Sequence, residues 1–124
     1  MEPALSDGDY VITVRLLSVA RGQVVVFEHP HQQGFHLVKR IVGLPGEVIT
    51  VADGDVAING ESFADPWTTS VTSGEASWQV SGDTVFVLGD SRTISSDSRT
   101  LGPIPISRCR RVAWRYWPRP RRFI

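Results

Sequence analysis

The sequence predicts an all-β fold, a barrel or sandwich built from short strands. Short runs of β-branched and aromatic residues recur along the chain, and turn signals rich in glycine, proline and aspartate separate them. Eight prolines and eleven glycines are spread through the 124 residues and leave little room for a helix of useful length. A chain of this length forms one domain with a modest core.

Each predicted strand is bounded by recognisable turn chemistry. The first, at 10–14, follows a turn signal at 7–9, and the third ends at the turn Leu44-Pro45-Gly46. The turn Asp53-Gly54-Asp55 joins the fourth and fifth strands into a hairpin. In order, the predicted strands are 10–14, 23–27, 34–42, 47–51, 56–58, 84–88 and 112–116.

We interpret residues 1–124 as a single domain with two distinctive regions. Residues 61–81 are polar and rich in serine and threonine, which suits a short insertion or an extended hairpin. Residues 108–124 carry seven arginines and no acid, whereas residues 1–107 carry six basic and thirteen acidic residues. The formal net charge is therefore zero, but an acidic body precedes a basic tail.

The basic aromatic tail has two interpretations. It is either a solvated chain end or a segment attracted to an anionic surface. Trp114, Tyr116 and Trp117 lie between its arginines and favour a membrane interface, where amphipathic rings are common. No known nucleic-acid-binding motif accompanies the arginines, so a nucleic-acid partner is not predicted.

Cys109 is the only cysteine, which excludes a disulfide within the chain and offers no metal-ligand pattern. We therefore predict no metal and no cofactor. The apolar run at 24–27 is far below the roughly 20 residues that a membrane-spanning helix needs. The sequence as given predicts a soluble or peripheral chain.

Lys39 lies in an apolar stretch and has two interpretations. It is either a surface lysine on an edge strand, where positive charge discourages aggregation, or a buried proton acceptor. An ammonium has no lone pair, so a lysine base needs burial to lower its usual pKa of about 10.4. Strand alternation places Lys39 and Arg40 on opposite faces, so one can be buried while the other is solvated.

A second polar stretch, at 89–99, follows the apolar strand predicted at 84–88. It suits a surface loop held by Asp/Arg pairs. It also holds three hydroxyls, those of Ser95, Ser96 and Ser98, any of which can accept a hydrogen bond and orient a neutral lysine. Composition alone does not choose between the two interpretations.

Several motifs resemble the conserved boxes of type I signal peptidases, membrane-associated serine proteases with a Ser/Lys dyad. The resemblance runs in order along the whole chain and leaves out only residues 61–81. The matching motifs are Met1-Glu2-Pro3-Ala4-Leu5 with Gly8-Asp9, Lys39-Arg40 with Gly43-Leu44-Pro45-Gly46, Gly89-Asp90-Ser91-Arg92, Ser95-Ser96-Asp97-Ser98-Arg99, Gly102-Pro103-Ile104-Pro105 and Tyr116-Trp117-Pro118.

The resemblance implies a mostly antiparallel β fold of the signal peptidase catalytic-core type, with Lys39 as general base. It implies that Ser95 orients the lysine. Asp97 with Arg99, and Asp90 with Arg40, resemble supporting ion pairs. Ser91 replaces the family's usual asparagine, which changes a supporting hydrogen bond but not the dyad. The implied substrate pocket, which accepts small side chains, is formed by Met1, Pro3, Ala4 and Leu5, with the strand at 10–14 beside it.

The implied activity is the removal of signal peptides from exported preproteins after small residues, without a cofactor. The active site is expected on the extracytoplasmic face of a membrane. In this family the nucleophilic serine stands directly before the methionine that corresponds to Met1. The chain as given starts at that methionine, so we expect a truncated chain that is inactive as a protease.

The sequence leaves two other classes of function open. A paralogue that has lost catalysis would use the same fold as a peptide- or membrane-binding module. A self-cleaving domain of the SOS-repressor type shares a Ser/Lys dyad on a related fold. Ser6 is a weaker substitute for the serine before Met1, because it lies beyond Pro3 and would need a different backbone path.

Overall fold

The computed structural model describes residues 1, 9–68, 70–93, 96–117 and 121–122, without the side chains of residues 116, 117, 121 and 122. Across this part of the chain the fold is mostly antiparallel β-sheet, which confirms the predicted fold class. Helical structure there is limited to α1 (Ser98–Leu101) and the 3₁₀ turn Ile106–Arg108. The strands are β1 (Tyr10–Arg15), β2 (Val24–Glu28), β3 (His36–Gly43), β4 (Val48–Ala52), β5 (Asp55–Ile58), β6 (Glu61–Ser62), β7 (Ala76–Gln79), β8 (Thr84–Leu88), β9 (Ile104–Pro105), β10 (Arg110–Trp117) and β11 (Arg121–Arg122).

The larger sheet has the strand order β1-β10-β2-β3-β8-β9, and β11 pairs with β10. All of these pairings are antiparallel. β3 lies between β2 and β8, so it is an interior strand with hydrogen-bonding partners on both sides. Its register places Lys39 opposite Val25 of β2.

The smaller sheet has the order β6-β5-β4-β7. β4 and β5 form the predicted hairpin, and its turn residues Asp53 and Gly54 both have positive φ, as a two-residue hairpin turn of this type requires. The segment 61–81 supplies both edge strands of this sheet, β6 and β7. It therefore completes a sheet that the preceding hairpin begins.

Two large clusters of buried apolar residues lie in the described part of the fold. The first lies on the face of β3 that carries Lys39, and the second joins β3 and β8 to the smaller sheet. The first consists of Val25, Phe27, Leu37, Ile41, Val85, Val87, Ile104 and Cys109. The second consists of Val42, Ile49, Val51, Val56, Val80, Phe86 and Leu88.

All seven predicted strands are present, with ends that differ from the prediction by at most two residues. The strand predicted at 84–88 has the bounds expected. The short strands β6, β7, β9 and β11 were not predicted. They are too short to show a recognisable hydrophobic pattern. Their pairing with other strands depends on the tertiary fold.

Candidate active site

Lys39 is buried near the middle of β3, with only 8% of its surface exposed. Leu37 and Ile41, two residues away on either side, are buried on the same face. Desolvation lowers the pKa of Lys39 below its ordinary value of 10.5; Asp97 partly opposes this shift and Arg99 adds to it. The interpretation as a surface lysine on an edge strand is wrong, because β3 is an interior strand and the side chain is buried.

Arg40, on the opposite face of β3, is not solvated as strand alternation had allowed. Its side chain is 11% exposed and forms a two-point ion pair with Asp90, with Nε and Nη2 at 3.0 and 2.9 Å from the two carboxylate oxygens. Nη1 also donates to the carbonyl of Gly22. The guanidinium lies 5.3 Å from the centre of a Trp67 ring, within range of a cation–π contact. The pair expected from Asp90 and Arg40 therefore exists as a contact, and it joins β3 to the loop at 89–99.

Asp97 organises the second half of that loop. The residue is fully buried and its Oδ2 accepts a hydrogen bond from the backbone N–H of Gly89 at 3.1 Å. Its Oδ1 accepts from the backbone N–H of Arg99, which caps the short helix α1. The guanidinium of Arg99 binds both carboxylate oxygens at 2.9 Å. The second expected ion pair is thus also present, beside the first turn of α1.

Two of the three hydroxyls considered for orienting the lysine, those of Ser96 and Ser98, lie in the described part of the chain. Ser98 is buried, and its Oγ accepts a hydrogen bond from the backbone N–H of Val87 at 2.9 Å, which ties α1 to β8. Ser96 is exposed. Ser95, predicted to orient the lysine, lies outside the described residues. The assignment of Ser95 therefore stays a prediction.

Arg92 is a buried residue whose contacts the sequence did not predict. It is 1% exposed, and its guanidinium donates to the carbonyl of Gly89, to the hydroxyl of Thr72 and to the carboxylate of Asp65. Arg92 belongs to the motif Gly89-Asp90-Ser91-Arg92. No local sequence pattern indicates Asp65 or Thr72 as its partners. These contacts join the segment 61–81 to the loop at 89–99.

Met1 lies beside a third, smaller apolar cluster around the buried residues Val24 and Val112. Val38, the neighbour of Lys39 on β3, also packs against this cluster. Pro3, Ala4 and Leu5, predicted to line the substrate pocket, lie outside the described residues, as does Ser6. Only the Met1 part of the predicted pocket has a described position.

Within the described ranges, no group of three or more histidine, cysteine, aspartate or glutamate residues is arranged to hold a metal ion. Burial raises the pKa of Cys109 to about 11, so its thiol is neutral near pH 7. The same ranges include no helix that is long and apolar enough to cross a membrane.

Comparisons with known proteins identify the family to which the chain is similar. The family described as "Signal peptidase, peptidase S26" matches residues 1–117. Probable signal peptidase I-2 of Synechocystis is 35% identical over 132 residues, which cover 98% of this chain and 61% of that protein. Signal peptidase I V of Bacillus subtilis is 32% identical over 123 residues, covering 84% of this chain and 72% of that protein. The chain thus spans 61% of the length of the Synechocystis relative.

A solved structure agrees with the sequence comparisons. The crystal structure of a signal peptidase I from Enterococcus faecalis matches with a TM-score of 0.66 and 26% identity, covering 77% of this chain and 96% of that one. Fold and relatives together define a serine-type peptidase class. The chain belongs to the signal peptidase family, peptidase S26. This membership decides against the interpretation as a self-cleaving repressor domain.

Proposed function

We propose that this domain is the catalytic core of an endopeptidase that removes signal peptides from exported preproteins with a Ser/Lys dyad. The observation that carries the proposal is the burial of Lys39 on an interior strand, where desolvation favours the neutral amine. Lys39 is also the only lysine in the chain. A neutral amine held in place by a rigid sheet is the group that can accept a proton from a serine hydroxyl.

In the proposed mechanism Lys39 Nζ takes the hydroxyl proton of the serine, whose oxygen attacks the peptide carbonyl after a small residue. The protonated lysine then returns this proton to the leaving amine, and an acyl-enzyme forms. Water hydrolyses the acyl-enzyme with the same lysine as base. Ser95 is proposed to hold the amine in the required orientation. Two ion pairs support this proposal: Arg40–Asp90 joins the loop at 89–99 to β3, and Arg99–Asp97 lies within that loop and holds its second half together.

The nucleophile is proposed to stand directly before Met1, as in the family motif. Met1 packs against the cluster around Val24 and Val112, as does Val38 of β3, so the first residue lies next to the strand that carries Lys39. This proximity to β3 supports the proposal. We propose that Met1, Pro3, Ala4 and Leu5 line the pocket for small substrate side chains. A chain that carries a residue other than serine at that position is expected not to cleave signal peptides.

The site is proposed to work at a membrane surface, on its extracytoplasmic side, with the basic aromatic tail as an attachment region. Trp114 of this tail is exposed and pairs with Ile12 of β1, which is exposed as well. Tyr10, two residues before Ile12 on the same strand, is also exposed. Aromatic and apolar side chains of this kind suit the interfacial region of a bilayer.

The proposal is tested with two matched chains that carry either serine or alanine directly before Met1. A preprotein with a signal peptide is the substrate, and the cleaved products are identified by mass spectrometry. We expect cleavage only by the chain with serine, and Lys39→Ala in that chain should abolish it.

Other results would contradict the proposal. If both chains are folded and neither cleaves, the interpretation as a catalytically silent binding module replaces it. If the unmodified 124-residue chain cleaves and Ser6→Ala stops it, the nucleophile is Ser6.

A further inference from the structure

An open pocket of about 520 Å³ lies where β1 ends and β10 begins. Its lining combines three basic residues with apolar ones and contains no acidic residue. The lining residues are Arg15, Leu16, Ile106, Ser107, Arg108, Cys109 and Arg110. Because the thiol of Cys109 is neutral near pH 7, the formal charge of this lining comes from the three arginines.

The sheet register forces two of these arginines together. Arg15 stands directly opposite Arg110 in the pairing of β1 with β10. Like charges at directly opposite positions of an antiparallel pair destabilise the sheet. The side chain of Arg110 is nevertheless held in place, since its Nε donates to the hydroxyl of Thr13 at 3.0 Å and its Nη2 to the carbonyl of Thr13 at 3.2 Å.

The pocket arginines differ from the arginines that have structural partners. Five arginines elsewhere each have a carboxylate within 3.4 Å: Arg21, Arg40, Arg92, Arg99 and Arg115. Within the described part of the chain, none of the three pocket arginines has a carboxylate at ion-pair distance. An anion in the pocket would convert the repulsion between Arg15 and Arg110 into shared attraction.

We propose that the pocket formed by Arg15, Arg108 and Arg110 binds a phosphate group. Guanidinium groups match the geometry of phosphate oxygens and form charge-assisted, often two-point hydrogen bonds with them. Leu17, two residues beyond Arg15, is 83% exposed, which favours a phospholipid headgroup as the source because an apolar side chain can enter the bilayer beside it. The lipid source rests on the membrane attachment proposed above, and the site itself is independent of peptide hydrolysis.

The test compares two pocket variants, Arg15→Gln and Arg108→Gln, with the control Arg111→Gln. Both pocket residues are exposed, so their replacement should leave the fold intact. Arg111 is the neighbour of Arg110 on β10, carries the same charge and does not line the pocket. One arm measures co-sedimentation of each protein with phosphatidylcholine vesicles, with and without phosphatidylglycerol. The other follows arginine Nε–H NMR signals during titration with inorganic phosphate at constant ionic strength.

We expect the unaltered chain to bind the anionic vesicles. Each pocket variant should bind about fivefold more weakly, the equivalent of the roughly 1 kcal/mol that a basic residue contributes at an anionic surface. Arg111→Gln removes the same charge from the attachment region without altering the pocket, so it should lose clearly less vesicle binding than either pocket variant. The pocket arginines could instead bind inorganic phosphate saturably while the protein does not bind vesicles. That result would support a soluble phosphate as the ligand. It would refute the proposed membrane attachment and leave the phosphate site standing.

Two results would overturn the phosphate site. One is an equal loss of vesicle binding in Arg111→Gln and in the pocket variants, which would indicate general charge attraction and leave membrane attachment standing. The other is the absence of binding to both vesicles and phosphate in the unaltered chain.

Discussion

Lys39 is the only lysine among the thirteen basic residues, and all of the others are arginines. Arginine keeps its proton in proteins, whereas a lysine can lose its proton when burial makes the charged form costly. Most of the described arginines are paired or exposed, but Lys39 faces the apolar cluster around Val25. The chain therefore has one amine side chain, and the sheet buries it where desolvation lowers its pKa.

The pKa of Lys39 can be measured directly, because lysine labelled with ¹³C gives a single set of side-chain signals in this protein. We expect the folded chain to titrate below the ordinary value of 10.5, and the urea-unfolded chain to titrate near it. Asp97→Asn should lower the pKa further, since the Asp97 carboxylate favours the ammonium. A folded-state titration at or above the unfolded one would show that burial does not destabilise the charge.

The lowered pKa also makes a prediction about stability. Between the folded pKa of Lys39 and 10.5, the unfolded chain binds a proton that the folded chain does not. The free energy of unfolding should therefore rise with pH across this window.

Lys39→Met should be more stable than the unaltered chain at pH 7, with an advantage that shrinks across the same window. Urea unfolding at several pH values measures this difference in unfolding free energy. Arg108→Met is the control, and its difference in unfolding free energy from the unaltered chain should not change with pH. An advantage that does not change with pH would contradict the linkage.

At the scale of strands and turns, local chemistry made much of the fold predictable. The runs at β1, β2, β3, β4 and β8 have enough β-branched and apolar residues to be recognised from the sequence. Gly46 and Gly54 have positive φ in turns that the sequence predicted, because turn preferences act over two to four residues. The predicted ion pairs came from a motif resemblance and not from spacing.

Features that depend on distant partners were not predictable. Gly43 belonged to a turn motif, but it ends β3 and packs closely against Ile49 and Phe86. Asp65 lies 27 residues before Arg92 and has no pattern that marks it as an ion-pair partner. In both cases the contact comes from the packing of the two sheets, which single-strand patterns do not encode.

Gly43 provides a test of that packing. An added Cβ would lie 2.7 Å from both Ile49 Cγ1 and Phe86 Cβ, whereas a Cβ at Gly82 would meet nothing within 4 Å. Gly43→Ala should therefore destabilise the fold by about 1 to 3 kcal/mol, as overpacked core positions do. Gly82→Ala should be neutral or slightly stabilising. Urea denaturation of the two variants measures the difference, and equal stabilities would contradict the close packing at the end of β3.

The segment 61–81 should contribute to stability through the Asp65–Arg92 ion pair. Asp65→Asn leaves the buried Arg92 guanidinium without its carboxylate, which should cost about 3 kcal/mol of unfolding free energy. Asp55→Asn makes the same chemical change at an exposed position and should stay within about 0.5 kcal/mol of the unaltered chain. If both variants unfold at the same urea concentration, the segment does not hold the loop at 89–99 in the way we infer.

At the scale of the whole molecule, the proposed site depends on regions that are far apart in sequence. Lys39 lies on β3 of the larger sheet, and Met1 packs beside the same sheet on the cluster around Val24 and Val112. The loop at 89–99 binds β3 through Arg40 and the segment 61–81 through Arg92. The second buried cluster joins β3 and β8 to the smaller sheet.

The proposed role of Lys39 predicts how the activity of the chain that carries a serine before Met1 depends on pH. Its kcat/KM should rise with pH along a limb whose apparent pKa equals the Lys39 pKa measured by NMR in the same protein, because only the neutral amine accepts the serine proton. Asp97→Asn should move the kinetic and NMR values downward together, since it removes the charge that favours the ammonium. Arg111→Gln, away from the loop, should leave both values in place. A kinetic limb that stays fixed while the NMR titration moves would show that a group other than Lys39 limits the rate.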